Sequence, residues 1–181
     1  MALYSFITNK DIDVSLKQYF FDQVTADAPH VIKTAEGAAF SLIKSMLNNR
    51  YDLVKLFPVI TEYDNTKAYA KDDYISNLDI IYKAKQASTA NDPAATNSAY
   101  WDESDPRDKL LILHCVNITV FFLLERINQR KVSQDVIDAY NRAINWLEDV
   151  KREHENPDFP LIEIGGMEVR SGSNKQIDHY W

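Results

Sequence analysis

A mainly α protein is the fold class this sequence predicts: a small helical bundle with an inserted small antiparallel β module and an extended C-terminal arm. Three observations predict it. Apolar residues recur every three to four positions on both sides of the middle of the chain, the period of a helix with one covered face. In the middle, from Tyr69-Ala70-Lys71-Asp72-Asp73-Tyr74-Ile75 through Ile80-Ile81-Tyr82-Lys83-Ala84 to Pro93 and Tyr100-Trp101, the pattern alternates as a strand does. From Arg170 the chain is polar and glycine-bearing, and it finishes in His179-Tyr180-Trp181. The predicted division is a discontinuous helical domain (1–62 and 104–160), a β insert (63–103) and a C-terminal hairpin and arm (161–181).

The elements follow in order. Thr8 or Asn9 can cap a first helix in which Ile12, Leu16 and Tyr19-Phe20 recur at helical spacing. Pro29 opens a second helix to about Asn48, with Ala35, Ala39, Leu42, Ile43, Met46 and Leu47 on one stripe. Ala35, Gly37, Ala38 and Ala39 are small enough for a close crossing. Tyr51 to Phe57 adds a helical turn before Pro58. In the insert, Tyr63-Asp64-Asn65 and Ser76-Asn77 carry turn chemistry, and the Tyr/Ile-rich runs between them read as short antiparallel strands. Residues from Ala87 to Ser98 form a loop.

Ser104 or Asp105 then caps a long helix with Pro106 first and an end near Asn128. Its apolar residues lie nearly all round, which predicts cover on both faces. Ser133 caps the last helix, where Val136, Tyr140, Ile144 and Leu147 repeat. Leu161 to Val169 frames Gly165-Gly166 as a two-residue hairpin.

Composition bounds the function. At 181 residues the chain builds one domain, or one domain with a small module. A net charge of −7 argues against non-specific nucleic-acid binding, which needs Lys and Arg against phosphates. The single cysteine, Cys115, sits in an apolar run, so no disulfide framework is expected, and a buried thiol and cytoplasmic synthesis are. Residues 1–8 lack the basic start and apolar core of a signal peptide. The apolar stretch Leu110 to Leu124 contains His114, Asn117 and Thr119 and falls short of the ~20 apolar residues of a membrane span.

Chemistry is scarce. His30, His114, His154 and His179 have no metal-ligand spacing; His114 reads as a hydrogen-bonded core histidine and His154 as solvated. Four glycines cannot build a phosphate-cradling loop, and no serine stands in a nucleophile elbow. Asp72-Asp73 reads as a solvated turn pair. No catalytic residue, cofactor or metal is therefore expected, and the chain reads as a non-enzyme.

Tyr69, Tyr74, Tyr82, Tyr100 and Trp101 are many aromatics for so small a unit. The preferred reading is a miniature core, the other a stacking platform for a sugar or a protein surface. For the tail, the preferred reading is an arm that docks into a neighbour through Arg170, Asn174, His179, Tyr180 and Trp181; the other is a tail folded on its own domain.

Two resemblances add to this. Tyr69, Asp73-Tyr74-Ile75, Ile81-Tyr82-Lys83-Ala84, Pro93 and Trp101 resemble the small chitin-binding modules of bacterial chitinases, over about a fifth of the chain. Asp72 replaces the usual glycine of that pattern, and Asn77-Leu78-Asp79 its glycine-rich turn.

Outside the insert, the opening Phe6-Ile7-Thr8-Asn9-Lys10-Asp11-Ile12, then Leu47-Asn48-Asn49-Arg50-Tyr51-Asp52 and Phe57-Pro58, resemble tailed-phage head–tail connectors of the Mu-like prophage type. Asp105-Pro106-Arg107-Asp108 and Tyr140-Asn141-Arg142-Ala143-Ile144-Asn145-Trp146-Leu147 extend the likeness. The resemblance implies a cofactor-free homo-oligomeric ring, usually a dodecamer, in the virion neck below the portal protein. Such a ring joins further neck or tail proteins and passes DNA without sequence-specific binding and without a membrane. The rival function is a carbohydrate- or surface-binding accessory protein acting through the insert.

Overall fold

The computed structural model describes residues 6–13, 29–88, 97–128 and 132–163. These contain five helices and one four-stranded sheet: α1 (Asn9–Asp13), α2 (Pro29–Leu47), α3 (Leu53–Leu56), β1 (Ile60–Glu62), β2 (Tyr74–Asn77), β3 (Ile80–Ala84), β4 (Trp101–Glu103), α4 (Lys109–Asn128) and α5 (Gln134–Lys151). The protein is thus a mixed α/β domain, and helical-bundle packing describes only part of it.

The helical body is α2, α4 and α5 packed on one another, with α1 against α4. On α2 the buried stripe is Ile32, Ala35, Ala39, Ile43 and Leu47, a 3–4 spacing that faces one side. Gly37 and Ala38 are exposed, and a Cβ at Gly37 would meet nothing within 4 Å, so the close approach falls to Ala35 and Ala39 alone. Helix α4 is central: Leu111, Cys115, Val116, Ile118, Thr119, Val120 and Leu123 are all buried. Cover is nonetheless incomplete among the described residues, since Leu110 and Leu113 stay exposed on its outer side. Ala143, Leu147 and Val150 complete the core from α5. Each large apolar side chain removed from water here contributes about 1.5–3 kcal/mol.

Local chemistry sets the ends. Thr8 caps α1, and Asp11 reaches back to the Thr8 amide at 2.8 Å in a capping box with Asp in the third position. Helix α4 begins later than expected: Asp108 accepts from the Leu111 amide at 2.8 Å, while Asp105 and Pro106 form a turn closed by Arg107 N–H donating to Asp105 Oδ1 at 3.0 Å. Asp105 bonds its own following backbone there instead of a helix end. Ser133 precedes α5 in extended conformation but makes no side-chain cap bond.

The sheet order is β1-β2-β3-β4. β2–β3 and β3–β4 are antiparallel, with Ile75 opposite Tyr82 and Ala84 opposite Trp101. β1, however, runs parallel to β2, placing Ile60 opposite Tyr74, so the expected antiparallel module is a mixed sheet. The cause is the route of the chain: Ile60–Glu62 arrives from the helical body, three residues ahead of the expected insert, and residues 63–73 carry the chain back to start β2 in the same direction. Ser76-Asn77 ends β2 rather than turning; the two-residue turn is Leu78-Asp79, with φ of 51° and 61°. That is the left-handed pair a tight hairpin requires.

The insert has its own small core of Tyr69, Ile75, Ala84 and Trp101, with Tyr63, Tyr82 and Tyr100 against it. At the other end, Asp52 N–H donates to Pro160 O at 2.8 Å and Ile162 N–H to Arg50 O at 3.0 Å, so 160–162 runs beside 50–52. The hairpin expected around Gly165-Gly166, the arm residues Arg170, Asn174, His179, Tyr180 and Trp181, and Leu16, Tyr19 and Phe20 lie outside the described residues. No described helix is long and apolar enough to cross a membrane.

Candidate functional site: the cleft between insert and helical body

Residues opposite one another in a sheet share a face, and neighbours along a strand alternate. Ile75, Tyr82, Ala84 and Trp101 therefore lie on the face that holds the small core, while Ile60, Tyr74, Ser76 and Ile81 lie on the other. That second face looks across a cleft of about 400 Å³ whose far wall is Ile7, Thr8, Lys33 and Arg107. Ile60 and Ile81 are buried, yet they belong to neither the helical core nor the insert core. They form the apolar floor of the cleft. Glu62 and Asp79 stand on its insert side.

Arg107 fastens the base of this cleft. Its side chain is 4% exposed, and its guanidinium donates to Asp105 twice (2.9 and 2.7 Å), to Asp11 Oδ2 (2.8 Å) and to the Phe6 carbonyl (2.7 Å). Burial alone would lower the Arg107 pKa, but Asp105 and Asp11 outweigh it and raise it further. Burial likewise opposes ionisation of Asp105, yet the bonds from Arg107 hold its carboxyl below the ordinary range. On the other side of the same segment, the buried Glu36 accepts from the Phe6 amide at 2.7 Å and the Ile7 amide at 3.2 Å. A planar fork between two carboxylates suits permanent positioning better than proton transfer.

The remaining buried polar groups are also structural. Burial, reinforced by the charge of Glu36, pushes the Cys115 thiol up to about 12, and Thr119 back-bonds the Cys115 carbonyl at 2.8 Å. His114 departs from expectation: it is buried and stacked on Trp146 at 4.5 Å, but neither ring nitrogen has a hydrogen-bond partner among the described residues. Burial pushes the imidazole pKa down, against a smaller upward pull from Asp108.

The five aromatics marked out by sequence do not form one surface. Tyr69 and Trp101 are buried and meet edge to face at 5.5 Å, and Tyr63 stacks on Tyr69 at 6.0 Å. Tyr82 and Tyr100 are half-buried against them. Tyr74 lies on the opposite face with the Lys83 ammonium 5.9 Å from its ring centre. Asp72 is exposed and paired with Lys83 at 2.9 Å rather than simply solvated, which raises the Lys83 pKa and lowers that of Asp72.

Sequence reading did not mark Lys33 or Glu36, and it named Leu78 and Asp79 only as a turn in place of a glycine-rich one. The available signal was a leucine between Asn77 and Asp79, where a tight turn favours Gly or Asn. Compared with known protein families, curated proteins and solved structures, the chain matches none.

Proposed function

We propose that this chain is a non-catalytic assembly protein, and specifically a head–tail connector of a tailed phage. In this reading copies form a ring, with twelve the expected number, below the portal in the virion neck. The ring joins head to tail and lines the path of the DNA with an acidic wall that does not trap phosphate. The observation that carries the assembly reading is where apolar side chains are left in water. Val54 is 83% exposed, Leu161 55% and Ile162 42%, on the adjoining segments 50–55 and 160–163. Leu161 and Ile162 lead into the stretch that contains Arg170, Asn174, His179, Tyr180 and Trp181. Such residues at one site fit a contact that copies or companions complete.

The polar interior supports the same reading, since Arg107, Glu36 and Thr119 each bond to backbone. Carbohydrate binding through the insert is the weaker alternative, because Tyr69 and Trp101 use their rings inside its core. Native mass spectrometry of the full chain, alone and mixed with the portal encoded in the same genome, tests the proposal. A complex of fixed stoichiometry that is lost on removing residues 170–181 is expected. A chain that ignores the portal overturns it.

A further inference from the structure

The β2–β3 turn is doubly unfavourable as it stands. Leu78 is 87% exposed and holds φ at 51°, a conformation that a glycine or asparagine adopts far more readily. Asparagine at this position would relieve the strain and remove an exposed leucine, so folding alone gives no reason for leucine. Asp79 beside it is exposed and has no ion-pair partner among the described residues. Facing the hairpin across the cleft stands Lys33, also exposed and also without an ion-pair partner among them. Between the two runs the apolar floor of Ile60 and Ile81, with Ile7 in the far wall, open to about 400 Å³. That space is large enough to admit a leucine side chain.

We propose that the hairpin tip is a plug and the cleft its socket, and that a second copy of this chain supplies each. Leu78 of one copy enters over Ile60 and Ile81 of the other, and Asp79 meets the other's Lys33. Plug and socket adjoin on one surface, since Leu78 itself stands at the rim of the cleft. A patch that carries both halves of a contact is self-complementary, so the pair closes about a twofold axis and satisfies both copies at once. The apolar insertion gives the contact its strength, and the two charge pairs fix its register. This contact is distinct from the ring and portal contacts proposed above and does not depend on them.

Sedimentation of the full chain over a wide concentration series tests it. The wild type is expected to form a dimer. Leu78→Asn should weaken that dimer by at least about tenfold, the effect of losing one modest anchor. At a dilution where both are monomeric, the same variant should melt higher than wild type, which separates a lost contact from a damaged fold. Lys33→Asp and Asp79→Lys should each weaken the dimer, and the two together should restore it. A wild type that stays monomeric throughout, a dimer indifferent to Leu78→Asn, or a charge-swapped pair that fails to recover overturns the proposal. Portal binding distinguishes the two proposals: portal binding retained by a Leu78→Asn chain that has lost the dimer leaves both standing, whereas a wild type that dimerises but ignores the portal sinks only the connector.

Discussion

Replacing Arg107 with leucine should destabilise the protein by about 3–5 kcal/mol, the cost of breaking a buried ion pair from one side. The structure divides that figure. Asp105 makes two of the four bonds, but its side chain is 41% exposed and water can take over, so its share is held to about 1 kcal/mol. The Phe6 carbonyl loses its donor inside the protein and is left unpaired at about 1–3 kcal/mol. Asp11 is 19% exposed; it keeps its bonds from Thr8 but loses its countercharge, and supplies the remainder. Urea melts read the change directly, and the thermal midpoint should fall by roughly 6–20 °C at the 2–4 °C per kcal/mol usual for this size. Arg107→Lys should fall between, since an ammonium lacks the planar fork. In double-mutant cycles the Arg107–Asp11 coupling should exceed the Arg107–Asp105 coupling. A leucine variant within about 1 kcal/mol of wild type at unchanged denaturant slope would refute the clasp.

Three further outcomes are expected. Gly37→Ala should stabilise by about 0.5–1 kcal/mol, because the site is an exposed helix interior with open space around a new Cβ; thermal melting checks it. His114→Leu should be neutral or stabilising at pH 7 by about 1 kcal/mol, since it removes two buried nitrogens that have no partner among the described residues. Because the folded imidazole is depressed, the unfolded chain takes the proton first, so wild type loses stability as pH falls below about 6.5 and the variant should lose less. Cys115 has the opposite sign: with the folded thiol raised to about 12, the unfolded thiol ionises first as pH rises. Stability should decline by about 1.4 kcal/mol per pH unit above pH ~9, an alkaline slope that Cys115→Ala lacks.

The legible parts of this fold were those written in local period. The α2 stripe from Ile32 to Leu47, the α5 pattern ending in Leu147 and the β2–β3 pair all follow from spacing within one segment. What spacing could not show was pairing between distant segments. Ile60-Thr61-Glu62 is too short to announce a strand, and its parallel partner lies beyond an intervening loop. Arg107 carries no motif, yet it joins Phe6, Asp11 and Asp105 only because α1 packs on α4. Ser76-Asn77 has side chains that suit a turn, but its backbone completes the ladder, and the turn falls on Leu78-Asp79, inside the Asn77-Leu78-Asp79 stretch that replaces a glycine-rich one. The aromatic insert was read more securely: Tyr69 and Trp101 fill its centre with Ile75 and Ala84, the miniature core that its composition predicts.

The chain enters the sheet on one border strand and departs from the opposite one, β1 and β4. With three inter-strand spacings of about 4.8 Å between them, the two roots of the module stand roughly 14 Å apart. It is therefore a strut, not a pendant: it sets the distance between Pro58 and Ser104 and hence between the end of α3 and the approach to α4. Cutting it out and rejoining the stumps directly would drag the host helices together. A faithful excision has to leave a bridge of about four or five extended residues in its place.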